Sequence, residues 1–172
     1  MRDIVTIRPA SANDHAAIVR LAVPVQEEHA QAVPTMFRAG GTPLPITYFH
    51  ELLASSDAEI LVADDANYIV GFVILKVQDA PAIPILQPRR TAIVDIIAVD
   101  TSRQGQGIGT ALMNAALVWA RDQGADELEL IVHEFNTSAI GFYEHLGLRT
   151  TRRRMSLPLI SETPVGLSHP DD

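Results

Sequence analysis

The amino-acid sequence predicts an α/β fold, in which strands and helices alternate within one domain. Residues 91–99 are almost entirely apolar, as in a strand buried on both faces. A glycine-rich segment joins them directly to a helical repeat of apolar residues that begins at Ile108. The length of 172 residues fits a single domain. We therefore expect one domain over residues 1–160, followed by a polar tail over residues 161–172.

Composition and charge exclude several classes of protein. The chain is 47% hydrophobic and 20% charged, which is typical of a globular protein. It has no cysteine, so disulfides and thiolate metal sites are excluded. A formal net charge of -8 argues against a partner that is nucleic acid or an anionic membrane. No apolar run approaches the roughly 20 residues that span a bilayer, and no targeting segment is visible, so we expect a cytoplasmic protein.

The first half of the chain predicts three strands and two helices. Residues 32–46 contain three prolines and two glycines, which predicts a loop or a broken helix, and residues 80–90 contain three prolines and predict a surface loop. The first elements are a strand at residues 5–8 and a helix that Ser11, Asn13 or Asp14 caps, with Ile18, Leu21 and Val25 on its apolar face. A second helix begins at about Pro45 and buries Phe49, Leu52 and Leu53. A hairpin of residues 59–63 and 68–77 follows.

The second half predicts three strands and two helices, with a glycine-rich segment after the first of these strands. A strand at residues 91–99 comes first, and a helix from Ile108 to Gly124 follows, with Ile108, Leu112, Ala115 and Trp119 on one face. Residues 127–133 alternate as in a strand. A short helix at residues 137–146, which Asn136 caps and Gly147 ends, leads to a closing strand at residues 149–157.

The glycine-rich segment predicts an anion-binding site. Gly105, Gly107 and Gly109 lie between a buried strand and the start of a helix, where free backbone N–H groups and the helix dipole favour an anion such as phosphate. A tight strand-to-helix turn is the alternative. A Walker loop would place lysine after the last glycine, whereas Thr110 stands there. A Rossmann loop has a different glycine spacing and normally follows the first strand of its domain.

Two motifs resemble those of the GNAT (GCN5-related) N-acetyltransferase superfamily. Gln104-Gly-Gln-Gly-Ile-Gly109 is similar to its Gln/Arg-x-x-Gly-x-Gly/Ala loop, and an Ala111-Leu112-Met113 helix follows, as in that family. Residues 136–148 are similar to its N-x-x-A-x-x-x-Y-x-x-x-G-F signature, with Leu148 in place of the final Phe. The resemblance covers residues 91–157 strongly, whereas residues 5–77 match only in the order of elements.

The resemblance implies a fold, a reaction and a cosubstrate. The fold is a mixed, splayed sheet of six to seven strands flanked by about four helices. The reaction is acetyl transfer from acetyl-CoA, without a metal, to the primary amine of a small-molecule or peptide acceptor. Pantetheine would lie along the strand that ends at Val99, and pyrophosphate would lie on the glycine loop. The implied cofactor contacts are Ile97, Ala98, Val99, Arg103, Gln104, Gly105, Gln106, Gly107, Ile108, Gly109, Thr110, Asn136, Ala139, Phe142 and Tyr143.

The chemistry requires groups that move protons. Most of an amine with a pKa near 10.4 is protonated at neutral pH, so a base must act before attack. Asp95 is one candidate, if burial on the face of Ile97 raises its pKa, and an ion-paired carboxylate is its alternative. His133 is the second candidate base, or a structural histidine. The resemblance implies the Val99 N–H as the oxyanion donor and Tyr143 as the acid for the leaving thiolate.

Other roles follow less directly from the sequence. Glu28 and His29 end the first helix, at the rim of the implied acceptor site, or form a solvated face. Asn136 orients the cofactor, caps a helix, or does both. The alternatives to an N-acetyltransferase are an idle acyl-CoA-binding or sensory module and an acyltransferase with a longer acyl donor. The resemblance also implies a possible homodimer.

Overall fold

The computed structural model describes residues 5–157 and Leu159, and its alternating elements confirm the predicted α/β fold. The polar tail predicted over residues 161–172 lies outside the described residues. The strands are β1 (Thr6–Pro9), β2 (Ala58–Asp65), β3 (Tyr68–Asp79), β4 (Arg90–Val99) and β5 (Glu127–Leu130). The α-helices are α1 (His15–Ala32), α2 (Ile46–Ala54), α3 (Ile108–Asp122) and α4 (Thr137–His145).

The strands form one mixed sheet in the order β1-β2-β3-β4-β5. Neighbours from β1 to β4 are antiparallel, whereas β5 runs parallel to β4 because α3 crosses over between them. The four β4–β5 pairs end at Val94 and Leu130. β4 continues to Val99, so its second half has no described neighbour on the β5 side. The sheet therefore opens between the carboxyl ends of these two strands.

The helices cover both faces of the sheet. On one face, α1 and α2 bury Ile18, Phe49 and Leu52 against Phe72 and Ile74 of β3. On the other face, α3 buries Ile108, Leu112, Met113 and Ala116 against Val73 and Leu75 of β3, and α4 packs beside it. Ala115 and Trp119, expected on the buried face of α3, are only half-buried; Met113 and Ala116 lie deeper. The strand that ends at Val99 is thus the wall between two apolar layers.

A β-bulge interrupts the pairing of β4 with β3. Ile74 pairs with Ile96, but its neighbour Leu75 pairs with Val94, which leaves Asp95 as the extra residue. Because of the extra residue, side chains two positions apart on either side of the bulge point to opposite faces of the sheet. Ile96 consequently packs on the α1–α2 face, although Val94 packs on the α3–α4 face.

Three details differ from the sequence prediction. The sheet of the described residues has five strands, rather than the six to seven that the resemblance implies. Residues 149–157 contain no strand, because four arginines stand where alternating apolar residues would be needed and Met155 and Leu157 are exposed. β5 ends at Leu130 rather than at residue 133, since the opening separates it from β4 and Ile131 is 88% exposed. None of the described helices is long and apolar enough to cross a bilayer.

Candidate active site

The opening between β4 and β5 exposes backbone hydrogen-bond donors of β4. The Asp100 N–H donates to the Val70 carbonyl on β3 at 2.8 Å. Successive N–H groups of a strand point in opposite directions, so the Val99 N–H points away from β3 and into the opening. The same alternation turns the Ile97 N–H into the opening. The side chain of Ala98, which lies between these two residues, is buried on the α1 face of the sheet. A ligand lying along β4 therefore meets free donors, as an added strand would.

The glycine loop presents a row of unused N–H groups at the start of α3. No hydrogen bond within the described part of the chain uses the backbone N–H of residues 104–110. Gly105 and Gly107 have φ values of 72° and 82°, a region that strains residues with side chains. Gly107 is the N-cap of the 15-residue α3, so these donors lie at the positive end of its dipole. A row of free donors at the start of a helix suits an anion, which is the ligand that the sequence predicts here.

Side chains on both sides of the loop hold it in place. Asp100 accepts hydrogen bonds from the Ser102 N–H and hydroxyl and pairs with Arg20 at 3.0 Å. Those bonds, led by the one from the Ser102 hydroxyl, lower the pKa of Asp100. Arg103, one of the implied cofactor contacts, pairs with Asp65 at the end of β2 and donates to the Gln106 amide oxygen at 3.0 Å. Arg103 thus fixes the loop against the sheet, and much of its charge is already compensated.

α4 packs against the beginning of α3 at Gly109. A Cβ at Gly109 would lie 3.2 Å from the Phe142 ring, so a larger residue here would force that ring to shift. Asn136 caps α4, because its side-chain oxygen accepts from the Ala139 N–H at 3.0 Å. Of the two predicted roles of Asn136 the structure therefore contains the cap, and its amide NH₂ is still available to donate.

Tyr143 lies on α4 and packs against the apolar core between α3 and the sheet. Its ring is half-buried and 5.3 Å from that of Phe142. Burial raises the pKa of the Tyr143 phenol above its ordinary value of 10.0. The hydroxyl is therefore a proton donor throughout the neutral range.

Asp95 does not have the surroundings that the sequence predicted. It was expected to be buried on the face of Ile97 and Val99, but the β-bulge turns it to the α1–α2 face, where it is exposed. Its carboxylate accepts a hydrogen bond from the Lys76 ammonium at 2.6 Å. The ion-paired alternative is correct, and the partner is Lys76. The carboxylate is thus already committed to a partner on the face away from the glycine loop.

Four aromatic rings meet beyond the end of β5, and we call them the ring cluster: His29, Phe37, His133 and Phe135. The His29 ring is 5.4 Å from His133, 5.2 Å from Phe37 and 5.1 Å from Phe135. All four rings are half-buried, whereas Glu28 is exposed. The cluster joins the end of α1 and the α1–α2 loop to the segment between β5 and α4.

Sequence reasoning had singled out the two histidines but missed the two phenylalanines. Neither phenylalanine belongs to a periodic segment, so only the spacing of Phe135 two residues after His133 hinted at a shared site. The α1–α2 loop also encloses an open groove of about 480 Å³. It is lined by Ala30, Pro34, Thr35, Met36, Phe37, Arg38 and Ala39.

The structure brings most of the predicted site residues to one region. The β4 backbone, the glycine loop and α4 surround the opening from the α3–α4 face, and the ring cluster borders the end of β5. Three implied contacts lie on the loop and at the start of α3: Gln104, Ile108 and Thr110. The side chain of Ile108 is buried, so Ile108 can contact a ligand only through its backbone. Within residues 5–157, no three histidine or carboxylate side chains converge in a way that could hold a metal ion.

Comparisons with known sequences agree with this geometry. The family model described as the Acetyltransferase (GNAT) family matches residues 25–148. A mycothiol acetyltransferase of Salinispora arenicola is 38% identical over 89 residues, which are 51% of this chain and 27% of that protein. An N-acetyltransferase 8B of Homo sapiens is 37% identical over 91 residues, 52% of this chain and 38% of that protein. The matches thus span well under half the length of these relatives.

Comparisons with solved structures support the fold. A tetramutant of the BH1408 protein from Bacillus halodurans superposes with a TM-score of 0.85 at 30% identity, covering 90% of this chain and 99% of that one. An aminoglycoside acetyltransferase from an uncultured soil metagenomic sample has a TM-score of 0.71 at 20% identity, covering 94% of this chain and 99% of that one. The second likeness concerns the fold alone.

Proposed function

Because this chain belongs to the acetyltransferase (GNAT) family, we propose that it transfers the acetyl group of acetyl-CoA directly to a primary amine. One observation carries the proposal: the row of unused N–H groups at residues 104–110 stands beside an opening lined by free backbone donors. A pyrophosphate fits the first feature, and an extended pantetheine arm fits the second. Acetyl-CoA contains both.

The same backbone supplies a group for the reaction itself. When an amine attacks the thioester, the carbonyl oxygen gains negative charge and needs a donor that is already in place. The Val99 N–H points into the opening and has no described acceptor, so we assign it this role. Its position costs no rearrangement, because the β3–β4 ladder fixes it.

Tyr143 is the proposed acid for the leaving group. Once the C–N bond has formed, the C–S bond breaks and the coenzyme A thiolate needs a proton. The Tyr143 hydroxyl stands on α4, which packs against the loop that would bind pyrophosphate. Since burial raises its pKa, the phenol is fully protonated when the thiolate departs.

The acceptor would approach from the α1–α2 side. The groove beside the α1–α2 loop, at about 480 Å³, is of the size that holds a small molecule or the end of a peptide. We therefore propose a small-molecule or peptide amine as the acceptor class. The net charge of -8 favours an acceptor that arrives as a cation.

A screen of amines tests the proposal. Thiol release from acetyl-CoA is followed with polyamines, amino sugars, amino acids and short peptides, and the products are checked for the added acetyl mass. We expect turnover with at least one class. Acetyl-CoA binding without turnover across the panel would indicate an idle acyl-CoA-binding module instead. Faster turnover with butyryl-CoA than with acetyl-CoA would indicate a longer acyl donor.

A further inference from the structure

We propose that His29 is the base that takes the proton from the acceptor amine, a role that rests on the proposed function. The sequence placed His29 only at the rim of the acceptor site and assigned the base to Asp95 or His133. In the structure, Asp95 is held by Lys76, which leaves the two histidines of the ring cluster. One of them is oriented for proton transfer.

The hydrogen bond of His29 fixes which of its nitrogens carries the proton. Its Nδ1 lies 2.7 Å from the Val25 carbonyl oxygen. A carbonyl oxygen can only accept, so Nδ1 donates and bears the hydrogen. In the neutral ring, the lone pair therefore lies on Nε2. A backbone carbonyl that holds Nδ1 in this way leaves Nε2 ready to accept a proton.

The position of His29 on α1 directs its ring towards the site. Val25 packs in the core between α1 and the sheet, and His29 follows it by four residues, on the same side of the helix. The ring is half-buried and contacts His133 and Phe135, which follow β5. Its next residue, Ala30, lines the groove beside the α1–α2 loop. His29 therefore stands between this groove and the end of β5, where the sheet is open.

His133 lacks the corresponding support. Its ring stacks on Phe135 with an interplanar angle of 23°, and no hydrogen bond within residues 5–157 orients either of its nitrogens. Stacking fixes the plane of the ring but not the tautomer. His133 thus serves as packing beside His29, and its backbone carbonyl anchors the Asn136 N–H at the start of α4, at 2.9 Å.

Each element packed against His29 also carries charged groups. The α1–α2 loop carries Arg38, the segment after β5 carries His133 and Glu134, and α1 itself carries Glu28. Within the described part of the chain, none of these side chains forms a hydrogen bond or an ion pair with the His29 ring. Its Nε2 is thus not committed to a partner.

The proposed step balances as follows. The acceptor ammonium gives one proton to His29 Nε2, and the neutral nitrogen attacks the thioester carbon. The C–N bond forms, the C–S bond breaks, and the thiolate takes a proton from Tyr143. The new amide nitrogen loses a second proton to solvent. Tyr143 takes one proton back from solvent, and His29 releases to solvent the proton that it accepted from the ammonium. The net products are the acetylated amine, coenzyme A and one proton.

The test is the pH profile of kcat/KM for His29→Phe, which keeps a ring in the cluster but has no Nε2. In the parent protein we expect kcat/KM to fall on the acid side of the profile, in a limb separate from that of the free amine at higher pH. The variant should lose this limb, and its kcat/KM at neutral pH should fall by about 10²–10⁴-fold. Acetyl-CoA affinity should not change. The matched control is His50→Phe, the same change at an exposed histidine on α2, which should keep the limb.

Two results would overturn the assignment. A folded His29→Phe protein that keeps the limb, while His133→Phe loses it, would move the base to His133. Nitrogen NMR that finds the His29 proton on Nε2 in the neutral ring would contradict the tautomer without any activity measurement. Failure of the proposed function is distinct from both, because the parent protein itself would then acetylate no amine.

Discussion

Tyr143 is the residue whose proposed chemistry separates most cleanly from its packing. Its ring belongs to the apolar layer beneath α4, and its hydroxyl is the only part with a proposed role in the reaction. The thioester sulfur of bound acetyl-CoA is a weak acceptor, so this hydroxyl contributes little before the C–S bond breaks.

Tyr143→Phe should therefore lower kcat and leave binding intact. We expect kcat and kcat/KM to fall together by roughly 10²-fold, since the lost interaction is made in the transition state. Acetyl-CoA affinity by calorimetry and the free energy of unfolding should both stay close to the parent values. Turnover at the parent rate, with chemistry shown to limit kcat, would leave Tyr143 as packing.

Asp14 gives the fold a pH dependence of its own. The guanidinium of Arg8 donates to its carboxylate at 2.9 Å, and the Ser11 N–H donates at 2.7 Å. These bonds, the one from Arg8 above all, lower the pKa of Asp14 from 3.8 to about 2 against the opposing effect of burial. The carboxylate is thus ionised in the folded state at pH values where the unfolded chain would protonate it.

The sign of this effect predicts acid sensitivity. A lowered pKa contributes stability that is complete above about pH 4 and is lost as the pH falls towards 2. Because Arg8 is partly exposed, screening reduces the contribution to on the order of 1 kcal/mol. The parent protein should lose about that much more free energy of unfolding than Asp14→Asn between pH 5 and 2, by urea titration. Parallel pH curves for the two proteins would contradict it.

At the scale of elements, the contact between α3 and the sheet depends on a glycine in β3. A Cβ at Gly71 would lie 3.1 Å from the Ala98 carbonyl oxygen and 3.1 Å from Leu112. The first of these is backbone, which cannot rotate away. Gly71 thus lets α3 approach the strand pair whose end carries the candidate site.

Gly71→Ala should therefore destabilise the protein by about 1–3 kcal/mol, the usual cost of overpacking a core. Gly141→Ala is the matched control, because its Cβ would meet nothing within 4 Å in the middle of α4. Removing that helical glycine should stabilise by about 0.5–1 kcal/mol. Chemical denaturation of both variants measures the difference, and equal effects of the same sign would refute the packing argument.

Local sequence patterns predicted the strands and helices whose neighbouring residues specify them. They missed the features that depend on contacts between residues distant in sequence. The strand ending at Val99, the glycine loop and α3 are each specified by a run of neighbouring residues, so all three were predicted correctly. The bulge at Asp95 is visible only in the pairing of β4 with β3, and it reversed the expected environment of that carboxylate. The ring cluster likewise needed the structure, since Phe37 and Phe135 stand 98 positions apart in loops.

For the whole molecule, the net charge opposes binding of the proposed cosubstrate. The chain carries a net charge of -8, and acetyl-CoA is itself an anion. Arg103, the cation beside the glycine loop, is already paired with Asp65, so side-chain charge offers little attraction. Binding of acetyl-CoA at the proposed site would then depend on oriented backbone dipoles, which act at contact distance while the net field is screened beyond about 8 Å.

In the proposed mechanism the sheet also separates the two substrates. The glycine loop and α4 lie with α3 on one face, whereas the groove and His29 lie with α1 on the other. The opening between β4 and β5 is where the two faces communicate. The thioester would therefore reach the amine through the sheet itself, beside the Val99 N–H.

The most direct test of this account is acetyl-CoA binding by calorimetry to a matched pair of variants, Gly107→Asp and Gly107→Asn. Both residues tolerate the positive φ of 82° at this position and have nearly equal volume, so they differ in charge alone. If pyrophosphate lies on the loop N–H groups, Gly107→Asp should bind at least tenfold more weakly than Gly107→Asn. Equal affinities in two folded proteins would show that the phosphates bind elsewhere.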